Sequence, residues 1–111
     1  MKIKIATDFS RIPGARFPEE GDYSGQEFRK DILVPKLKEA IKTNARLEID
    51  LDGTAGYGTS FLEEAFGGLI RIDNIKYNDI INTICFISID DPEYIEEINS
   101  YLKEAYEKEN N

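Results

Sequence analysis

Three groups of side chains in this 111-residue chain could do chemistry. Asp50 and Asp52 close the segment RLEIDLD, Thr59 and Ser60 follow the glycine-rich stretch DGTAGYG, and Asp90 and Asp91 end the apolar run TICFISI. Hard divalent cations favour carboxylate oxygens, so the acidic pairs would suit magnesium. Glycines let backbone amides converge on a phosphate at a helix start. Adjacent hydroxyls at such a place are either helix caps or acceptors of a phosphoryl group. Cys85 is the only thiol, and there is no histidine. The usual general base near neutral pH is therefore missing, along with every Ser-His or Cys-His nucleophile.

Each possibility has a plainer counterpart. Gly53 and Gly58 have phosphate-loop spacing, but Thr59 and Ser60 stand where Lys and Ser or Thr should follow. Asp50, Asp52, Glu63 and Glu64 would also repel a nucleotide, so a tight strand-to-helix turn accounts better for the glycines. No lysine follows TICFISI to contact a phosphoryl group, and Asp91 before Pro92 reads as a helix cap. Cys85, inside an apolar run, reads as a small buried hydrophobe. The doubled hydroxyl is less easily absorbed, because one cap needs only one oxygen. A phosphate on Ser60 or Thr59 would be favoured by the helix amides and would add nearly two negative charges to an acidic surface. Such a change abolishes a protein contact while leaving the fold intact. Asp52, Gly53, Gly56, Tyr57, Gly58 and Glu63 surround these hydroxyls as candidate partner-binding residues, with Tyr57 as an aromatic anchor on the loop.

The elements that position these residues follow from periodicity. Ile3 and Ile5 alternate with lysines in an edge strand, and Pro13-Gly14 predicts a turn that returns Ala15–Phe17 as a hairpin partner. Ser24 and Glu27 form a capping box for a long helix through Phe28, Leu33, Leu37 and Ile41, which Pro35 kinks or splits. Residues 46–51 form a strand, and Phe61 to Ile70 mark a second helix. In that helix Gly67-Gly68 signal an early end or a very close neighbour. Residues 72–82 give no clear pattern. Residues 83–89 predict a strand buried on both faces at the sheet centre, and Tyr94 to Tyr106 repeat at helical spacing. The order predicts an α/β fold, a four-stranded, mostly parallel mixed sheet with about three helices in one domain over residues 1–111. Ligands in such sheets gather beyond the carboxyl ends of the strands, where the aspartates fall.

Fourteen basic against 22 acidic residues give a formal charge of -8, which disfavours nucleic acid and anionic membranes as partners. A lone cysteine excludes an internal disulfide, no run approaches the ~20 apolar residues of a membrane span, and the N-terminus lacks a signal-peptide core. A cytoplasmic protein is expected.

The segment IDLDGTAGYGTSFLEEAFGGL, with the upstream SGQEFRKDILVPKL and GARF, resembles the STAS-like family of small bacterial domains of unknown function, related to the anti-sigma-factor antagonists. The resemblance covers nearly the whole chain and implies regulation or signalling without catalysis or cofactor. In those antagonists a strand ending in Asp-Leu leads to an Asp-Ser-Ser-Gly element whose second serine is phosphorylated by a histidine-kinase-like ATPase. The same pattern laid on this chain puts Ser60 at the phosphorylated position with Thr59 before it, while Gly58 replaces the aspartate and Phe61 the glycine. Arg16 lies in a matched segment and is expected to contact a partner.

Overall fold

The computed structural model describes residues 1–110, and among them the chain forms three strands and five helices. In order these are β1 (Lys2–Lys4), α1 (Ile5–Asp8), α2 (residues 25–43), β2 (Leu47–Asp50), α3 (residues 59–71), α4 (Tyr77–Thr83), β3 (Ile84–Ile87) and α5 (Glu93–Glu109). The α/β class is as predicted. The sheet, however, has three strands rather than four, and all pairs are parallel in the order β1-β2-β3. The hairpin does not form. The chain turns helical straight after β1, and residues 14–16 are instead tied to the segment that opens α2. Gly14 N donates to Tyr23 O, Gly25 N to Ala15 O and Gln26 N to Arg16 O at 2.8–3.1 Å.

β2, not β3, is the sheet centre. Two crossovers that step in one direction, with the right-handedness general for parallel connections, put α2 and α3 on one face, and the alternation of the strands matches. Ile3 and Ile49 are fully buried on that face. The opposite face carries two cross-strand rows, Lys2–Glu48–Cys85 and Lys4–Asp50–Ile87. Lys2 and Glu48 pair at 3.4 Å, Lys4 and Asp50 at 3.6 Å. β3 is apolar on both sides although only one side meets the core, so Cys85 is exposed rather than buried, and Ile89 beyond the strand is 80% exposed.

The capping box forms as read: Ser24 Oγ accepts from Glu27 N at 3.1 Å, and Glu27 Oε1 accepts from Ser24 N at 3.2 Å. Pro35 does not break α2. It follows a π-helical segment, Arg29–Leu33, whose widened turn lets Val34 N reach back five residues to Arg29 O just ahead of a residue that has no N–H to give. Gly67-Gly68 do not end α3 either, because the helix runs through a second π segment, Glu63–Gly67, to Arg71. The stretch left open at residues 72–82 contains α4. Phe28, Leu33 and Leu37 of α2 meet Phe61, Leu62, Phe66 and Leu69 of α3 and Ile98 and Leu102 of α5 over the sheet. Each such side chain contributes roughly 1.5–3 kcal/mol by leaving water.

Candidate functional site

The turn from β2 to α3 is built from its own polar groups. Gly53 and Gly56 have φ of +88° and +125°, the left-handed region where a side chain is strained, which is why this turn needs glycine there. Most of its amides are already taken. Asp52 N donates to Asp50 Oδ1 at 2.9 Å, Gly53 N to Asp90 Oδ2 at 3.2 Å, Ala55 N to Arg11 O at 2.8 Å and Gly56 N to Thr54 Oγ1 at 3.2 Å. A phosphate cradle needs free convergent amides, and these four are already committed within the protein. The carboxylates are engaged in the same way. Asp52 accepts from Ile89 N and Asp90 N at 3.0 and 2.9 Å, and Asp91 Oδ1 accepts from Glu93 N at 3.1 Å at the start of α5. Among the described residues no three acidic, thiol or imidazole groups converge as a metal centre. A cleft of about 110 Å³ remains between Asp52, Ser88, Asp90 and Tyr94.

Tyr57, expected at the surface as an anchor for a partner, is turned inward and only 9% exposed. Its hydroxyl donates to Leu51 O at 2.7 Å, its amide donates to the Tyr94 hydroxyl at 3.3 Å, and its ring meets Tyr94 edge-on with centroids 5.0 Å apart. Burial raises the Tyr57 phenol well above the ordinary tyrosine pKa. The tyrosine thus pins the loop to the sheet end. Its aromatic character was legible, but its direction depended on a pocket made by residues 37 positions away.

Beyond Tyr57 the chain returns to the surface. Gly58 is the N-cap of α3, with no side-chain hydrogen bond, and Thr59 and Ser60 are the first two helical residues. Both are exposed, and neither hydroxyl serves as the cap. Phe61 and Leu62, directly after them, are fully buried. The hydroxyls therefore stand on a rigid first turn whose opening amides lack intrahelical acceptors and whose dipole favours negative charge.

One turn further on, α3 carries a network of charge that the sequence only hinted at. Arg16 and Glu63, both candidate contact residues, are paired with each other through Arg16 Nη1 and Glu63 Oε1. Arg71 joins them, with Nη1 at 2.6 Å from Glu63 Oε2. Burial pushes the Glu63 carboxyl up, but the hydrogen bonds from Arg71 and Arg16 outweigh it and hold the group below its usual range. Arg16 is shifted upward, chiefly by its hydrogen bond to Glu63. Beneath them lie Arg29 and Glu64, each 2% exposed and in direct contact, with Arg29 Nε also 2.9 Å from Asp73 Oδ2. Arg29 lies so close to α3 that a Cβ at residue 68 would stand 2.6 Å from its Nη1. The glycine pair was the visible signal of this approach. Its cause, a buried arginine from another helix, was not visible.

A three-stranded parallel sheet with helices crossing over it, and a glycine turn presenting hydroxyls at a helix start, define an α/β domain. A family model described as the STAS-like domain of unknown function (DUF4325) matches residues 24–94, and the chain belongs to that family. The match spans α2, the turn, the whole of α3 and the start of α5. No curated protein and no solved structure matches the chain, and no described helix is long and apolar enough to cross a membrane.

Proposed function

We propose that the chain is a non-catalytic regulatory or signalling domain that binds a protein partner through the Asp52–Gly58 turn and the first turn of α3, and that phosphorylation of Ser60, or of Thr59, releases that partner. The partner class suggested by the family resemblance is a histidine-kinase-like ATPase of the anti-sigma type. One observation supports the reading above others: two exposed, uncommitted hydroxyls are held over a buried Phe61 and Leu62. Modification there adds charge to a contact surface without entering the core. Arg16 and Glu63, tied to each other and to Arg71, then act at the margin of the docking surface, and Tyr57 acts by holding the turn.

The test is incubation with the cognate ATPase and ATP, followed by binding measurements on wild type, Ser60→Ala and Ser60→Asp. Phosphate on residue 60, retained binding by Ser60→Ala and at least tenfold weaker binding by Ser60→Asp are expected. Equal binding by all three would refute the switch. The alternative, a magnesium or small phosphorylated ligand at the acidic strand ends, has less support because those oxygens already accept backbone amides. Calorimetric titration with magnesium and nucleotide separates the two readings.

A further inference from the structure

β3 is an edge strand with nothing to resist a neighbour. Exposed edges are commonly guarded by charge, proline or a bulge, and β1, the other edge, carries Lys2 and Lys4. From Thr83 to Ser88 there is no charge, proline or glycine, in a chain with 32% charged residues. On the helix-covered side of this edge is a hollow of about 180 Å³, lined by Ile80, Ile81, Ile84 and Phe86 with Asn99 and Leu102 of α5. Ile84 and Phe86 are inward-facing positions of β3, so the hollow lies where the inward side chains of one more strand would sit. Ile81 is 45% exposed beside it.

We propose that a second copy of this chain supplies the strand: β3 pairs antiparallel with its own counterpart about a two-fold axis, joining two three-stranded sheets into one. An uncharged strand meets itself without repulsion, and a two-fold interface uses the same patch twice. Charge on α5 selects this occupant. Glu96, Asn99 and Lys103 fall at i, i+3 and i+7 on one exposed stripe, and Asn99 lines the hollow. When two α5 helices lie antiparallel with the axis between Asn99 and Ser100, Glu96 of each copy faces Lys103 of the other. Acid and base thus flank Asn99, which lines the hollow, at near-equal spacing on either side, an arrangement that self-pairing uses twice. The interface is separate from the β2–α3 turn, so its fate has no bearing on Ser60 or its partner.

Sedimentation equilibrium of the full chain, at an ionic strength that screens the charge of -8 on each copy, tests this. The mass should rise with concentration from 12.7 kDa toward twice that value. Glu96→Lys and Lys103→Glu each place like charges together at both symmetric positions, and each should weaken association by roughly tenfold. The double variant, with the charges exchanged, should return to within about threefold of wild type. Both altered positions lie on the solvent-exposed stripe of α5, so folding is preserved. A chain that stays monomeric into the millimolar range, or a double variant no stronger than the single ones, would overturn the proposal.

Discussion

The hydroxyl of Tyr57 sits 2.7 Å from the Leu51 carbonyl at the end of the central strand, and this contact ties the loop to the sheet. Tyr57→Phe removes the donor and leaves a buried acceptor, so a loss of about 1–2 kcal/mol in urea unfolding is expected. The same group sets a pH dependence. Its pKa is raised by burial, so its stabilising effect is full below the unfolded tyrosine value of about 10 and declines as pH rises beyond it. Wild type should therefore lose more stability between pH 8 and pH 11 than Tyr57→Phe does, measured as the shift in unfolding midpoint. Ser60 behaves differently because it is exposed in the first turn of α3. Ser60→Asp should leave stability unchanged or raise it by up to about 1 kcal/mol through the helix dipole, read as a thermal midpoint no lower than wild type. The types of both residues could be read from the sequence. Which one faced the core could not, since that depends on Tyr94 and Leu51 meeting Tyr57 in space.

At the scale of elements, α2 and α3 are joined by a buried charge pair as well as by apolar contact. Arg29→Met leaves Glu64 without its deepest partner and should cost about 3–5 kcal/mol, whereas Arg29→Met combined with Glu64→Met should recover much of that loss. Chemical denaturation of the two variants distinguishes the outcomes. Gly68→Ala pushes a methyl against an arginine that Glu64 and Asp73 hold in place. Since the guanidinium has little freedom to retreat, a loss of about 1–3 kcal/mol is expected in the same measurement. Glu63 adds an acid limb to the stability profile. Its pKa is lowered in the fold, so its contribution is present above the unfolded glutamate value and is lost as pH falls through the lowered one. The capping box of α2 and the close neighbour at Gly67-Gly68 were readable because caps and glycines act locally. The two π segments were not, since they arise where a proline and a packed arginine alter an otherwise regular ladder.

For the whole molecule, charge and topology set the remaining properties. A formal charge of -8 produces self-repulsion, and the surface pairs Lys2–Glu48 and Lys4–Asp50 are worth at most about 1 kcal/mol each. Screening should therefore stabilise the chain on balance, and the urea midpoint should rise from low to physiological ionic strength. The parallel α/β architecture was legible because hydrophobic period alternates between two and 3.6 along the chain. The place of β3 was not, because a continuous apolar run looks the same whether its second face meets helices or lies at a free edge. Residue order alone determined the acidic character, the lack of histidine chemistry, the helix start at Ser24 and the glycine turn before Thr59, all of which depend on composition or on neighbours within a few positions. Only the tertiary structure decided that β2 lies at the centre, that Tyr57 points inward while Ser60 points out, and that Arg29 is buried against Gly68. Those outcomes depend on contacts between segments distant in the chain, whose geometry no local pattern encodes.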